Sequence, residues 1–241
     1  MTTVTFSESH GVRYLHLDSP WIQGAMRLNA PDTLELAYTR QMMVWMLFHE
    51  DPHRIVQLGL GAGSLSRFVH YHFPHVQLCV VELNAAVIDA CRQRFGLPDD
   101  SGRFKVLHAD AMAYVSQACN HGLLDVLQVD LYDGNAYRPS LDTPAFYQGC
   151  AACLTDAGMM TVNLLGDADT LQSSMDAIAP FFHAICWLPE TEDGNVIVMA
   201  FKHAPSIDFD VLHERAQRIA AATGLDAAQW VDGLLTWMQE G

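Results

Sequence analysis

The run Ile55-Val56-Gln57-Leu58 breaks into Gly59-Leu60-Gly61-Ala62-Gly63-Ser64, a loop with glycine at every second position, and a helical pattern follows at once. The next apolar run, Leu78 to Glu82, ends in a carboxylate about 20 residues further on. Strand, glycine loop, helix, strand and acid in this order describe a β-α-β nucleotide-binding unit. The glycines at Gly59, Gly61 and Gly63 let the backbone turn sharply and lie against a flat ligand. Glu82, at the carboxyl end of the second strand, is placed to accept hydrogen bonds from two ribose hydroxyls, so the expected ligand is built on adenosine.

From Arg54 onward, short β-branched runs alternate with helical patterns: Ile55 to Leu58, Leu78 to Glu82, Phe104 to Leu107, Asp125 to Val129 and Met159 to Leu164. Such alternation predicts a parallel sheet with helices on both faces. Ala184 to Leu188 and Val196 to Phe201 are separated by the turn-rich Pro189 to Asn195, with no room for a helix, and predict an antiparallel hairpin at the sheet edge. The fold class is therefore α/β, a seven-stranded methyltransferase-like Rossmann sheet. Residues 1–30 read as a small N-terminal β-hairpin, with Val12 to Asp18 alternating at period two and Trp21 to Leu28 returning. Leu34 to His49 reads as an amphipathic helix leading into a nucleoside-binding domain over 31–205. Residues 206–241 read as a helical extension whose Ile219, Leu225, Trp230, Leu234 and Trp237 are available to pack on the domain or on a second subunit.

The balance of 13 basic against 28 acidic residues, a net charge of −15, argues against a nucleic-acid groove and is compatible with a cationic substrate. No basic-then-apolar leader opens the chain, and no apolar run reaches the ~20 residues of a membrane span, so a cytoplasmic protein with no membrane partner is expected. The six cysteines sit in apolar helix or strand patterns and read as small buried hydrophobes. His70-x-His72-x-x-His75 falls on the side opposite the predicted pocket, so no metal site is assigned.

In open parallel sheets ligands bind at the carboxyl ends of the strands. Four successive strand ends here are polar: the glycine loop, Glu82, His108-Ala109-Asp110-Ala111, and Asp130-Leu131-Tyr132-Asp133. Asp110 can accept from the adenine amino group, while Ala111 leaves room for the ring. The sixth loop position is Ser64 rather than Gly or Ala, which favours a sulfonium-adenosine over a nicotinamide dinucleotide. Asp130 and Asp133 would converge on the mouth of the pocket and attract an ammonium group. An amine that is protonated at neutral pH cannot attack, so a carboxylate must orient it and help remove its proton.

Leu17-Asp18-x-x-Trp21-Ile22-Gln23, the helix around Ala37-Tyr38, the glycine loop, Glu82, Asp110-Ala111 and Asp125-Val126-x-x-Val129-Asp130-x-x-Asp133 together resemble the spermidine synthase family of polyamine aminopropyltransferases, over roughly residues 12 to 201. The resemblance implies that Asp130 is the acid beside the reacting amine and that Asp133 grips the polyamine. It implies further that Gln23 lines the donor site and Tyr38 the pocket. It also implies transfer of an aminopropyl group from decarboxylated S-adenosylmethionine, as co-substrate rather than tightly bound cofactor, to a diamine such as putrescine, in a homodimer. Ala62 stands where the family carries an aspartate and keeps S-adenosylmethionine open as co-substrate. A methyltransferase of small molecules is thus the second reading, and a non-catalytic binding protein the third.

Overall fold

The computed structural model describes residues 3–132 and 141–240. Its main sheet has seven strands, β4 (Arg54–Leu58), β5 (Gln77–Glu82), β6 (Phe104–His108), β7 (Leu124–Val129), β8 (Leu154–Leu165), β9 (Ala184–Trp187) and β10 (Asn195–Phe201). They lie in the order β6-β5-β4-β7-β8-β10-β9. β4, β5, β6, β7 and β8 run parallel to one another, and β10 runs antiparallel to both β8 and β9. The order reverses between β4, from which β5 and then β6 lie outward on one side, and β7, from which β8 leads the other way. That reversal opens a crevice above the carboxyl ends of both strands.

Alternate residues of the central strands feed two cores. Ile55, Val80, Val126, Ile197 and Met199 face one, while Val56, Leu58, Val81, Leu127 and Val198 face the other. Strands buried on both sides in this way read as continuous apolar runs. Buried polar residues, among them Gln57, Gln128 and Thr161, interrupt the first face. Gln57 Nε2 donates to Gln128 Oε1 at 2.9 Å across the β4/β7 register, and Ser66 Oγ donates to Gln57 Oε1 at 2.6 Å. Gln128 Nε2 and Thr161 Oγ1 then both donate to the Met42 carbonyl, at 3.0 and 3.4 Å.

Those bonds pin the segment expected to be one amphipathic helix. It is instead a short α1 (Ala37–Gln41) followed by a 3-10 turn over Met42–Leu47. Every residue from Met42 to Leu47 is buried, so the stretch has no solvent face and threads through the core. An apolar run with polar groups on one side only would be amphipathic; this one is enclosed on all sides.

The N-terminal segment is a three-stranded antiparallel sheet rather than a two-stranded hairpin: β1 (Val4–Ser9), β2 (Val12–Leu17) and β3 (Gly24–Arg27), in that order. β1 is an exposed edge strand, and its weakly alternating sequence carries little pattern. The C-terminal α7 (Phe209–Thr223) and α8 (Ala228–Glu240) bury Ile219, Leu225, Trp230 and Leu234 against the same chain, and Trp237 meets Trp187 of β9 at 5.4 Å between ring centroids. All six cysteines are free, but Cys119 is exposed rather than buried, because it falls in a single 3-10 turn where the preceding helical pattern has ended. Among the described residues, no helix is long and apolar enough to cross a membrane.

Candidate functional site

A cavity of about 830 Å³ occupies the crevice, and the ends of β4, β5, β6, β7 and β8 all reach it. Its wall includes Gln23, Tyr38, Gly59, Gly61, Glu82, Asp110, Ala111 and Asp130, so the structure brings eight of the sequence-predicted residues to one space. Gly63 lies behind this wall, preceding α2 (Ser64–His72) as its N-cap and packing beside Leu97 and Arg67. Asp133 lies outside the described residues.

Close packing dictates the shape of the glycine loop. Gly59 has φ +94°, and a Cβ there would come 2.1 Å from the Asp130 carbonyl oxygen. Gly61 has φ +50°, and its Cβ would come 2.9 Å from the Gln23 carbonyl oxygen. The loop is thus squeezed between the end of β7 and the segment that leads into β3. From beneath, Cys91 Sγ donates to the Gly61 carbonyl at 3.0 Å and Arg67 Nη1 to the Ala62 carbonyl at 2.5 Å. Ala62 itself is only 2% exposed. A Cβ on Gly24 would fall 2.6 Å from that of Ala62, so the side chain at position 62 faces β3 and not the cavity.

At the nucleoside-like end, Glu82 accepts from the Leu60 amide (3.0 Å, Oε2) and the Asn84 amide (2.7 Å, Oε1). These bonds fix the carboxylate while leaving lone pairs for a ligand. Burial pushes the Glu82 carboxyl above its ordinary value, against the opposing pull of the Asn84 and Leu60 amides. Asp110 caps α4 (Ala111–Val115), its Oδ1 accepting from the Ala113 amide at 2.7 Å. The first residue of that helix, Ala111, is the small side chain on the wall.

At the other end, Asp130 follows β7 and is half-buried. Its Oδ2 accepts from the Tyr38 hydroxyl at 3.2 Å and its Oδ1 from Asn163 Nδ2 at 2.9 Å. Burial pushes its carboxyl above the usual range, and the hydrogen bonds from Asn163 and Tyr38 pull in the opposite direction. Tyr38 in turn is pushed well above the ordinary phenol value, by burial first and then by the neighbouring Asp130. Tyr132 also lines the cavity, and its hydroxyl donates to the Asn163 carbonyl at 2.8 Å. Asn163 and Asn195, both on the wall, were not singled out from the sequence; the one available signal was an asparagine inside the apolar run Val162-Asn163-Leu164.

The wall carries four carboxylates, Glu82, Asp110, Asp130 and Asp193, and among the described residues no Lys, Arg or His lines it. The described part of the wall favours cations and offers no cationic side chain to an anionic group. His70, His72 and His75 lie elsewhere and have separate neighbours, Arg103, Asp32 and Asp51 respectively.

A seven-stranded sheet of this order, with a strand-end acid beside a glycine loop, defines the methyltransferase-like class of Rossmann proteins. Within that class, residues 35–210 match the family model described as the spermine/spermidine synthase domain. The chain is 34% identical to a polyamine aminopropyltransferase of Chromobacterium violaceum, over 97% of this chain and 90% of that one. This protein belongs to the spermine/spermidine synthase family. Two solved structures are similar in fold. A probable spermidine synthase from Corynebacterium glutamicum has a TM-score of 0.77 at 20% identity, covering 89% of this chain and 84% of that one. Human methyltransferase-like protein 13, in complex with SAH, has a TM-score of 0.69 at 24% identity, covering 79% and 93%.

Proposed function

We propose that this protein transfers an aminopropyl group from decarboxylated S-adenosylmethionine to a diamine such as putrescine. The observation that carries the reading is a cavity with acids at both ends and no basic side chain among its described lining residues. Decarboxylated S-adenosylmethionine has a sulfonium and an ammonium but no carboxylate, and the acceptor is an ammonium before it reacts. Both therefore match the wall in charge, whereas the carboxylate of S-adenosylmethionine would find no cationic partner among the described lining residues.

In the proposed reaction Asp130 takes a proton from the acceptor ammonium. The freed nitrogen lone pair attacks the methylene carbon bonded to sulfur, the carbon–sulfur bond breaks, and its electron pair leaves on neutral methylthioadenosine. The new secondary amine retains one positive charge. Tyr38 orients the Asp130 carboxylate, Gln23 lines the donor site and Asp133 holds the far part of the amine. The glycine loop seats the donor, with Glu82 on the ribose diol and Asp110 and Ala111 at the adenine. Proximity and fixed carboxylates supply the catalysis.

Incubating the protein with putrescine and each donor in turn tests the reading. Methylthioadenosine formed only with the decarboxylated donor is the expected result. S-adenosylhomocysteine from the ordinary donor would replace it with a methyltransferase, and ligand binding without product would leave a binding protein. Glu82→Gln is expected to weaken methylthioadenosine binding roughly tenfold to a hundredfold, from ~1.5–3 kcal/mol for hydrogen bonds to a charged group. Calorimetric titration reads the loss, and unchanged affinity would remove Glu82 from the ribose. The same proposal includes a cytoplasmic homodimer. Six free cysteines fit a reducing compartment, and the exposed Met238 and part-exposed Trp187 leave apolar surface for a second copy. Sedimentation at equilibrium measures that state.

A further inference from the structure

The two oxygens of Asp130 are held from different parts of the chain: Tyr38, on α1, holds Oδ2, and Asn163, on β8, holds Oδ1. An asparagine amide has a donor at one corner and an acceptor at the other, and the two are nearly identical in shape. Packing alone does not decide which corner of Asn163 faces the carboxylate. Turned over, the amide would aim its oxygen at Asp130 and repel it.

A second asparagine supports the unturned orientation from the other corner. Asn195 Nδ2 donates to Asn163 Oδ1 at 3.0 Å, which leaves Nδ2 of Asn163 to point at Asp130. Asn195 opens β10, antiparallel to β8, and sits near Asn163 because the register pairs Asn195 with Leu165 and Ile197 with Asn163. Its backbone is clamped by Thr191, whose amide donates to the Asn195 carbonyl at 2.9 Å and whose Oγ1 accepts from the Asn195 amide at 3.0 Å. The Asn163 backbone is clamped by Tyr132. Asn163 is 3% exposed and Asn195 7%, so solvent offers little competition for either amide.

We propose that Asn195 is a positioning residue for Asp130: it acts through Asn163, fixing the orientation of that amide and so the direction in which the reacting carboxylate faces. The proposal rests on the aminopropyl-transfer reading for its kinetic consequence, but not for its geometry. It also joins the acidic turn Glu190 to Asn195, which brings Asp193 to the cavity wall, to the reacting end of the site. Among the described residues, the titratable groups around Asp130 are Tyr38 and Tyr132, with Glu82 and Asp193 further along the wall. None of these supplies the donor that Asn163 supplies.

Asn195→Asp is the sharpest test, because it places an acceptor against Asn163 Oδ1 and rewards the inverted amide. The acidic limb of the kcat/KM profile is expected to move up by about one pH unit, and kcat at pH 7 to fall about tenfold or more, with donor KM changed less than about twofold. Asn195→Leu, close in shape and uncharged, is expected to move the limb the same way by less. A wild-type limb and kcat in either folded variant would overturn the proposal. Titrating the carbon-13-labelled Asp130 carboxyl by NMR reads the same displacement without turnover. If the wild type makes no methylthioadenosine, the functional reading fails while this titration still decides the proposal. An Asp130 titration unmoved by Asn195→Asp overturns it.

Discussion

Asp130→Asn is expected to lower kcat/KM for methylthioadenosine formation by about a thousandfold, within the ~10²–10⁴-fold range for a positioned general base. Methylthioadenosine binding should change less than about twofold, since the adenosine contacts are assigned to the other end of the cavity. The variant keeps the local hydrogen-bond count, because an asparagine oxygen can accept from Asn163 and its nitrogen can donate to Tyr38. The stability effect runs the other way. A carboxyl whose pKa is higher folded than unfolded holds its proton more tightly in the folded protein. Ionised Asp130 therefore opposes folding above its folded-state pKa, and the penalty fades as pH falls toward the unfolded value of about 3.9. Asp130→Asn should unfold at a higher temperature than the wild type at pH 8, with the gap closing below about pH 4. A variant that retains activity would show that this carboxylate is not the base, and one that melts lower at pH 8 would show that it is not a folding penalty.

Gly59→Ala should lose both binding and stability. Its φ of +94° is strained for an L-residue, and its new Cβ would fall 2.1 Å from the Asp130 carbonyl oxygen. The obstacle is backbone, and the Asp130 amide is itself bonded to the Leu58 carbonyl at 2.9 Å, so the ends of β4 and β7 must part. Strain and displacement together are expected to cost roughly 3–4 kcal/mol, a fall in melting temperature of roughly 10 °C for a chain of this size. Donor binding should be lost at temperatures where the variant is still folded. Thermal unfolding with and without methylthioadenosine measures both effects, and a fully liganded, unshifted Gly59→Ala would mean that the loop relaxes freely.

The strand-end part of the site was legible because its residues are consecutive with strand ends. Gly59, Glu82, Asp110 and Asp130 each follow an apolar run, and topology does the rest. Gln23 and Tyr38 were reachable only through family resemblance, since nothing in their local pattern says that β3 and α1 fold over the loop. Asn163 and Asn195 were not reachable by either route. Their contact depends on the β8/β10 register, and a residue-long slip would put Asn163 on the opposite face. The same limit applies to Met42–Leu47: apolar spacing cannot distinguish a helix lying on a core from a turn threaded through one. β1 was overlooked because an exposed edge strand needs no apolar face.

That buried thread divides the site into two mechanical regimes. Tyr38 is anchored directly ahead of Met42–Leu47, whose displacement would open the core and break the Gln128 and Thr161 bonds to Met42. The opposite rim consists of Trp21, 59% exposed, and Ile22, 49% exposed, which have few buried contacts to lose. The floor that meets the reacting nitrogen is stiff, whereas the rim that meets the outer part of a ligand is compliant. Residues of this rim can therefore be exchanged without retuning the chemistry below.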